Sequence, residues 1–297
     1  MSGRASRWAV GAALLGAACA KPAEPVTPLT AEMKAPPLPL ASVTVSPAPT
    51  ATPALVALQS GATLPSVPAS DSSEDAYRRA VHDASHATER NDALVKLSCA
   101  GKAGVEWKDA ECSRVKVVSV MTADSVQYWK GRTSSEWQYV SWVTAAPELE
   151  TFCSGAAQSS LSADELVLRV QQWLGLPSTK RYDKVIEVWV HPSRLRRPCS
   201  NPKVEVAECR AQGKVTCRGD ASCEVFKLWL DYNDLKNQAA GSYPFTRLGY
   251  TYDWSRASAT SGKPGLGATE FVVLPDTPYE IIAPGSRELT EYCGRKP

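Results

Sequence analysis

Lys184-Val-Ile-Glu-Val-Trp-Val-His191 is the clearest strand pattern in the chain. Ile186, Val188 and Val190 alternate with side chains that include a carboxylate, an indole and finally the imidazole of His191. Because successive side chains of a strand point to opposite faces, one face is wholly aliphatic and the other is mostly polar or aromatic. We expect the aliphatic face to lie in the core. The other face is either a half-exposed sheet surface or the wall of a site in which His191 acts as a general base.

Further strand patterns lie on both sides of this segment. Stretches rich in Val, Ile, Thr or aromatic residues predict strands, and these are Val115–Met121, Trp137–Thr144, Thr246–Trp254 and Thr269–Leu274. The last two are neighbours in sequence and are typical of a hairpin. Helical patterns are fewer. One opens near Ser73, one runs from Ser162 to Leu174 behind a capping box, and one runs from about Glu224 to Lys236.

The order of these elements predicts the fold class. Strands interleave with few helices, which favours an α+β fold over a doubly wound one. We therefore expect a single disulfide-stabilised domain with a largely antiparallel sheet and two or three helices. The third helix carries an apolar stripe of Val225, Leu228, Trp229, Tyr232 and Leu235.

The N-terminus has the pattern of an export signal. Arg4 and Arg7 precede an uncharged, Ala- and Leu-rich stretch that is too short to span a bilayer permanently. The segment Leu15-Gly-Ala-Ala-Cys19 resembles the lipobox of bacterial lipoproteins. That resemblance implies removal of residues 1–18, acylation of Cys19 and attachment to a membrane, and Ala20 suggests outer-membrane sorting. Cleavage before Lys21, which gives a soluble periplasmic or secreted protein, and an uncleaved anchor are the alternatives.

Residues 19–70 are predicted to be a disordered tether. Residues 20–70 hold eleven of the twenty-two prolines, four charged residues and no aromatic residue, a composition that cannot bury a core. The remaining residues, 71–297, are predicted to form the globular domain. They carry 29 Lys and Arg against 29 Asp and Glu, which argues against a nucleic-acid partner.

The cysteine content points to an oxidising compartment. Acylation of Cys19 or its removal with the leader leaves eight cysteines for the folded part, enough for four disulfides among 105 pairings. Close spacing favours Cys99–Cys112, Cys199–Cys209 and Cys217–Cys223, which leaves Cys153 and Cys293 for a long-range tie.

No motif predicts a metal or a cofactor. The cysteines form no C-x-x-C pair. His82 and His86 lie one helical turn apart, but on a mostly polar helix, where a solvated face is favoured over a metal site.

The most suggestive polar residues lie near the C-terminus. In a strand over 246–254, Arg247, Gly249 and Asp253 share one face, and the glycine leaves room for a group to approach the backbone. A Gly-rich loop over 261–267 and then Glu270 follow. Arg247, Asp253, Glu270 and His191 could converge into an acid/base or anion-binding site. The alternative is an internal Arg–carboxylate pair that closes a hairpin.

Two resemblances concern the same region. Glu270-Phe-Val-Val-Leu-Pro275 resembles the strand that follows the catalytic Glu of ADP-ribosyltransferases, although the position of their second carboxylate is Ala268 here. The segments 246–254 and 269–273 together resemble uncharacterised secreted bacterial proteins, a likeness that implies no activity.

The function expected from the sequence is that of an envelope protein that acts as a binding or structural module. Eight of nine Trp and all ten Tyr lie in the domain, where they fill a core or stack on an envelope glycan. The expected partner is therefore an envelope glycan or an envelope protein. The alternative function is an enzyme, a hydrolase or an ADP-ribosyltransferase-like protein, built on the polar residues near the C-terminus.

Overall fold

A computed structural model describes residues 72–294, except 89, 101–103, 130–139, 156–157, 159, 210–212, 241–242 and 260–264. The expected signal peptide, the acylation site Cys19 and the tether lie outside the described residues. Within them the chain has the expected α+β fold, with a mostly antiparallel sheet.

The main sheet has six strands in the order β4-β7-β2-β1-β3-β8, and every neighbouring pair is antiparallel. A second sheet pairs β5 with β6, also antiparallel. The strands are β1 Val115–Met121, β2 Ser141–Ala145, β3 Lys184–Val190, β4 Leu195–Arg196, β5 Tyr250–Asp253, β6 Gly265–Thr269, β7 Phe271–Val273 and β8 Tyr279–Glu288.

The predicted strand at 184–191 is β3, an interior strand of the main sheet. It pairs along its full length with β1, and Ile186, Val188 and Val190 are buried in the largest hydrophobic cluster. The opposite face is less open than expected, because Val185 packs into a second cluster and the buried Glu187 pairs with Arg287 of β8. An interior strand contacts neighbouring elements on both faces, so most of the second face is core as well.

The helices are more numerous than expected. Among the described residues they are α1 Ser73–Ser85, α2 Ala146–Ser154, α3 Ala163–Trp173, α4 Ala221–Ala240, α5 Arg256–Ala259 and α6 Leu289–Tyr292. Short 3₁₀ segments occupy Ala123–Tyr128 and Pro192–Arg194. α3 begins with the predicted capping box, in which Ser162 and Glu165 each bond the other's backbone N–H. α2, α5 and α6 are short, so their apolar pattern is too brief to be recognised in the sequence.

The apolar stripe of α4 points mostly outward. Leu228, Tyr232 and Leu235 are each exposed by more than 60%, whereas Phe226 and Leu230 are buried. The face that contacts the core is thus rotated from the expected stripe, and of that stripe only Trp229 packs against the core.

The strand predicted over 246–254 is shorter in the structure, where it spans only Tyr250–Asp253. Arg247 and Gly249 both have positive φ and form a turn, so that β5 begins only at Tyr250. The predicted Gly-rich loop ends in β6, which pairs with β5 as a hairpin. The first pair of the ladder matches Tyr250 with Thr269.

Four disulfides join the pairs that the spacings favoured. They are Cys99–Cys112, Cys153–Cys293, Cys199–Cys209 and Cys217–Cys223, with Cα atoms 5.4 to 6.0 Å apart. The long one joins α2 to the residue after α6 and lies within the second hydrophobic cluster.

Gly249 has no room for a side chain, and the group that approaches its backbone is part of this chain. A Cβ atom would lie 2.6 Å from Cδ of the buried Arg197 and 2.8 Å from Sγ of Cys209. We expect Gly249→Ala to lower the free energy of unfolding by about 3 kcal/mol, since overpacking adds to the cost of an Ala at positive φ. Chemical denaturation measures this.

Gly219→Ala is the matched control. Gly219 has nearly the same φ, but nothing lies within 4 Å of the added Cβ. Gly219→Ala should lower the free energy of unfolding by about 1 kcal/mol, which is the cost of the backbone strain alone. Equal losses in the two variants would show that the contact with Arg197 does not matter.

Candidate functional site

A cavity of about 360 Å³ opens between the main sheet, the C-terminal half of α4 and the β5–β6 hairpin. β1 and β2 form one wall, the segment after α3 forms another, and α4 with residues 243–245 forms the third. The volume lies in the range of small-molecule sites, which are typically about 300–1,000 Å³.

The carboxyl group of Glu270 is the distinctive group of this cavity. Glu270 sits between β6 and β7, where its backbone N–H donates to the carbonyl of Gly249 at 2.9 Å. Its Oε2 atom is buried and makes no hydrogen bond. Burial raises the pKa of Glu270 to about 8, because a charged carboxylate is poorly solvated there. The group is therefore mostly neutral at pH 7.

Aromatic side chains supply much of the cavity wall. Trp142 packs edge-on against Phe245, with ring centroids 5.7 Å apart, and also contacts Trp229. Tyr182 lines the cavity from the segment after α3, and Tyr243 lines it from the segment after α4. Trp142 is 37% and Tyr243 43% exposed, so both rings can be reached from solvent.

A second acidic residue fixes the backbone next to Glu270. Glu148 of α2 accepts a hydrogen bond from the Thr269 N–H at 2.9 Å and one from the Thr144 hydroxyl at 3.2 Å. Burial raises the pKa of Glu148, while these hydrogen bonds and the charge of Arg197 oppose the rise. Its oxygens are thus used inside the protein, and the role of Glu148 is to position the strand that carries Glu270.

The structure does not assemble the four polar residues that the sequence suggested as one site. Arg247 donates to Asp234 of α4 at 2.6 Å. Asp253 accepts two hydrogen bonds from Arg169 of α3, at 3.1 and 2.7 Å.

Both ion pairs join this region to helices, so neither is the internal Arg–carboxylate pair that would close a hairpin. His191 is exposed and caps the 3₁₀ segment after β3 through Ser193. Of the four polar residues suggested by the sequence, only Glu270 lines the cavity.

Most of the cavity's aromatic residues were not identified from the sequence. Trp142, Tyr182 and Phe245 come from separate segments, and each fits an ordinary strand or core pattern. The fold alone brings these rings to one place.

Two kinds of site are not found in the described part of the chain. No group of three or more His, Cys, Asp or Glu residues is placed to hold a metal ion among the residues that the structure describes. None of the described helices is long and apolar enough to cross a membrane.

Comparisons with family models, with curated protein sequences and with solved structures find no match to this chain. The cavity and its chemistry therefore carry the functional argument.

Proposed function

We propose that this protein is an extracytoplasmic binding module that holds a small ligand in the aromatic cavity beside Glu270. The observation that carries the proposal is a buried carboxyl oxygen without a hydrogen-bond partner in a cavity of ligand size. Buried polar groups are nearly always paired, and an unpaired one that lines an open cavity points to a missing partner.

The location outside the cytoplasm is supported by the four disulfides, which form and persist in oxidising compartments. The sequence of the leader supports export, and the likeness of residues 15–19 to a lipobox supports acylation of Cys19. We propose that this anchor and the Pro-rich segment after it hold the domain away from the outer membrane. A soluble periplasmic or secreted form remains the alternative.

A binding role fits the cavity better than catalysis does. General acid/base chemistry needs a second polar group near the reacting atoms. The carboxylates of Asp253 and Glu148 are instead engaged by Arg169 and by Thr269. Arg247 is held by Asp234. Arg247, Asp253 and His191, which the enzyme alternative needs beside Glu270, do not line the cavity.

Titration calorimetry with three small probes tests the proposed binding function. The probes are N,N′-diacetylchitobiose as an envelope-type sugar, choline as an organic cation, and 3,3-dimethylbutan-1-ol as the neutral isostere of choline. We expect at least one of them to bind saturably. We also expect Trp142→Ala to weaken that binding about tenfold, because the ring forms part of the wall.

Tyr232→Ala is the control, since Tyr232 is a similarly large aromatic residue exposed on α4 and does not line the cavity. It should leave the affinity unchanged. Absence of saturable binding by all three probes, or equal affinity in wild type and Trp142→Ala, would contradict the proposal.

A further inference from the structure

We infer that the ligand of this cavity carries an organic ammonium group, which pairs with the carboxylate of Glu270 and contacts the surrounding aromatic faces. This inference rests on the proposed binding function and specifies its ligand class.

The first argument is the missing counter-charge. Most buried acidic side chains of this fold have cationic or hydrogen-bonding partners, as Glu187 has Arg287 and Asp253 has Arg169. Among the described residues Glu270 has no ion pair, and its buried Oε2 atom has no hydrogen bond. A ligand cation that enters the cavity would supply a positive charge to pair with the carboxylate of Glu270.

The second argument is the composition of the wall. Of the residues that the structure describes, five aromatic side chains line the cavity, and they are Trp129, Trp142, Tyr182, Tyr243 and Phe245. The face of an aromatic ring attracts a cation, and the attraction is strongest where water is displaced, which is how quaternary ammonium groups are recognised in aromatic cages. The faces of these rings would repel an anionic ligand.

The other titratable groups around the cavity are compatible with a cation. Lys236 of α4 lines it but is exposed to solvent, where its charge is screened. Burial raises the pKa of Tyr182, so its hydroxyl is neutral at physiological pH. Glu148 is the other acidic residue near Glu270. A carboxyl group is either neutral or negatively charged, so Glu148 does not repel a cation.

The pairing predicts how affinity depends on pH. Only the ionised carboxylate attracts an ammonium group, and burial keeps the carboxyl of Glu270 neutral up to about pH 8. Choline affinity should therefore rise by about tenfold from about pH 6 to about pH 9, because the proton need no longer be displaced. A ligand that accepts a hydrogen bond from the neutral acid would show the opposite trend.

The experiment compares choline with 3,3-dimethylbutan-1-ol by titration calorimetry on the full chain at both pH values. We expect choline to bind at least about tenfold more tightly than its neutral isostere at the higher pH. Glu270→Gln should remove that preference and the pH dependence. Glu224→Gln, which removes an exposed carboxyl of α4 outside the cavity, should change neither.

The outcomes separate this inference from the proposed function. Equal affinity for choline and its isostere, or binding of N,N′-diacetylchitobiose alone, would overturn the ammonium ligand and leave a binding cavity in place. A choline preference that survives Glu270→Gln would also overturn it. Saturable binding by none of the probes would contradict both proposals.

Discussion

Replacing both Cys153 and Cys293 by Ala is expected to lower the free energy of unfolding by about 5 kcal/mol. The sequence separation is 140 residues, so this bond restricts the unfolded chain more than any other described disulfide. The loop-closure entropy model gives about 5 kcal/mol for a loop of that length. Denaturant titration of the oxidised protein measures the loss.

Cys217→Ala combined with Cys223→Ala is the matched control. Their separation is six residues, and the same model gives about 2 kcal/mol. The difference between the two double variants therefore isolates the effect of loop length. Losses of equal size, or an unchanged unfolding midpoint after removal of the long tie, would contradict the prediction.

Glu270→Gln is expected to stabilise the protein in alkaline solution. Burial raises the pKa of Glu270 from 4.5 to about 8, so the folded state holds a proton that the unfolded state loses between these values. The wild-type protein then loses stability as pH rises from about 5 to about 8. Gln cannot ionise, so the advantage of the variant should grow by about 4 kcal/mol across that interval.

The measurement is the free energy of unfolding of both proteins as a function of pH, from denaturant titrations. Glu224→Gln serves as the control for an exposed carboxyl of α4 and should change stability by less than about 0.5 kcal/mol. A constant difference between Glu270→Gln and wild type across the interval would show that the carboxyl of Glu270 is ionised in the folded protein at neutral pH.

The elements with the strongest local pattern were predictable from the sequence. β1 occupies Val115–Met121 as predicted, and the capping box placed the start of α3. Three of the disulfide pairs were predicted from the close spacing of their cysteines, and the fourth pair consists of the two cysteines that remained.

β8 was missed because its sequence lacks a strand pattern. It contains Pro284, Gly285 and several charged residues, which are tolerated because it lies at an edge of the sheet.

The site was only partly predictable for a different reason. Arg247, Asp253 and Glu270 are close in sequence, and proximity suggested that they act together. Instead, Arg247 forms an ion pair with Asp234, and Asp253 forms one with Arg169. Asp234 and Arg169 lie on two separate helices. The choice of ion-pair partner depends on tertiary packing, which one segment of sequence does not contain. Among the described residues Glu270 has no such partner, and this makes it the central residue of the cavity.

The most direct test of the central claim is an NMR titration of the isotopically labelled Glu270 carboxyl, with and without choline. We expect a pKa of about 8 for Glu270 in the free protein and a clear fall in this pKa when choline is bound, because the cation favours the ionised form. A carboxyl that titrates near its ordinary value, or one whose pKa choline does not change, would contradict a binding site built on Glu270.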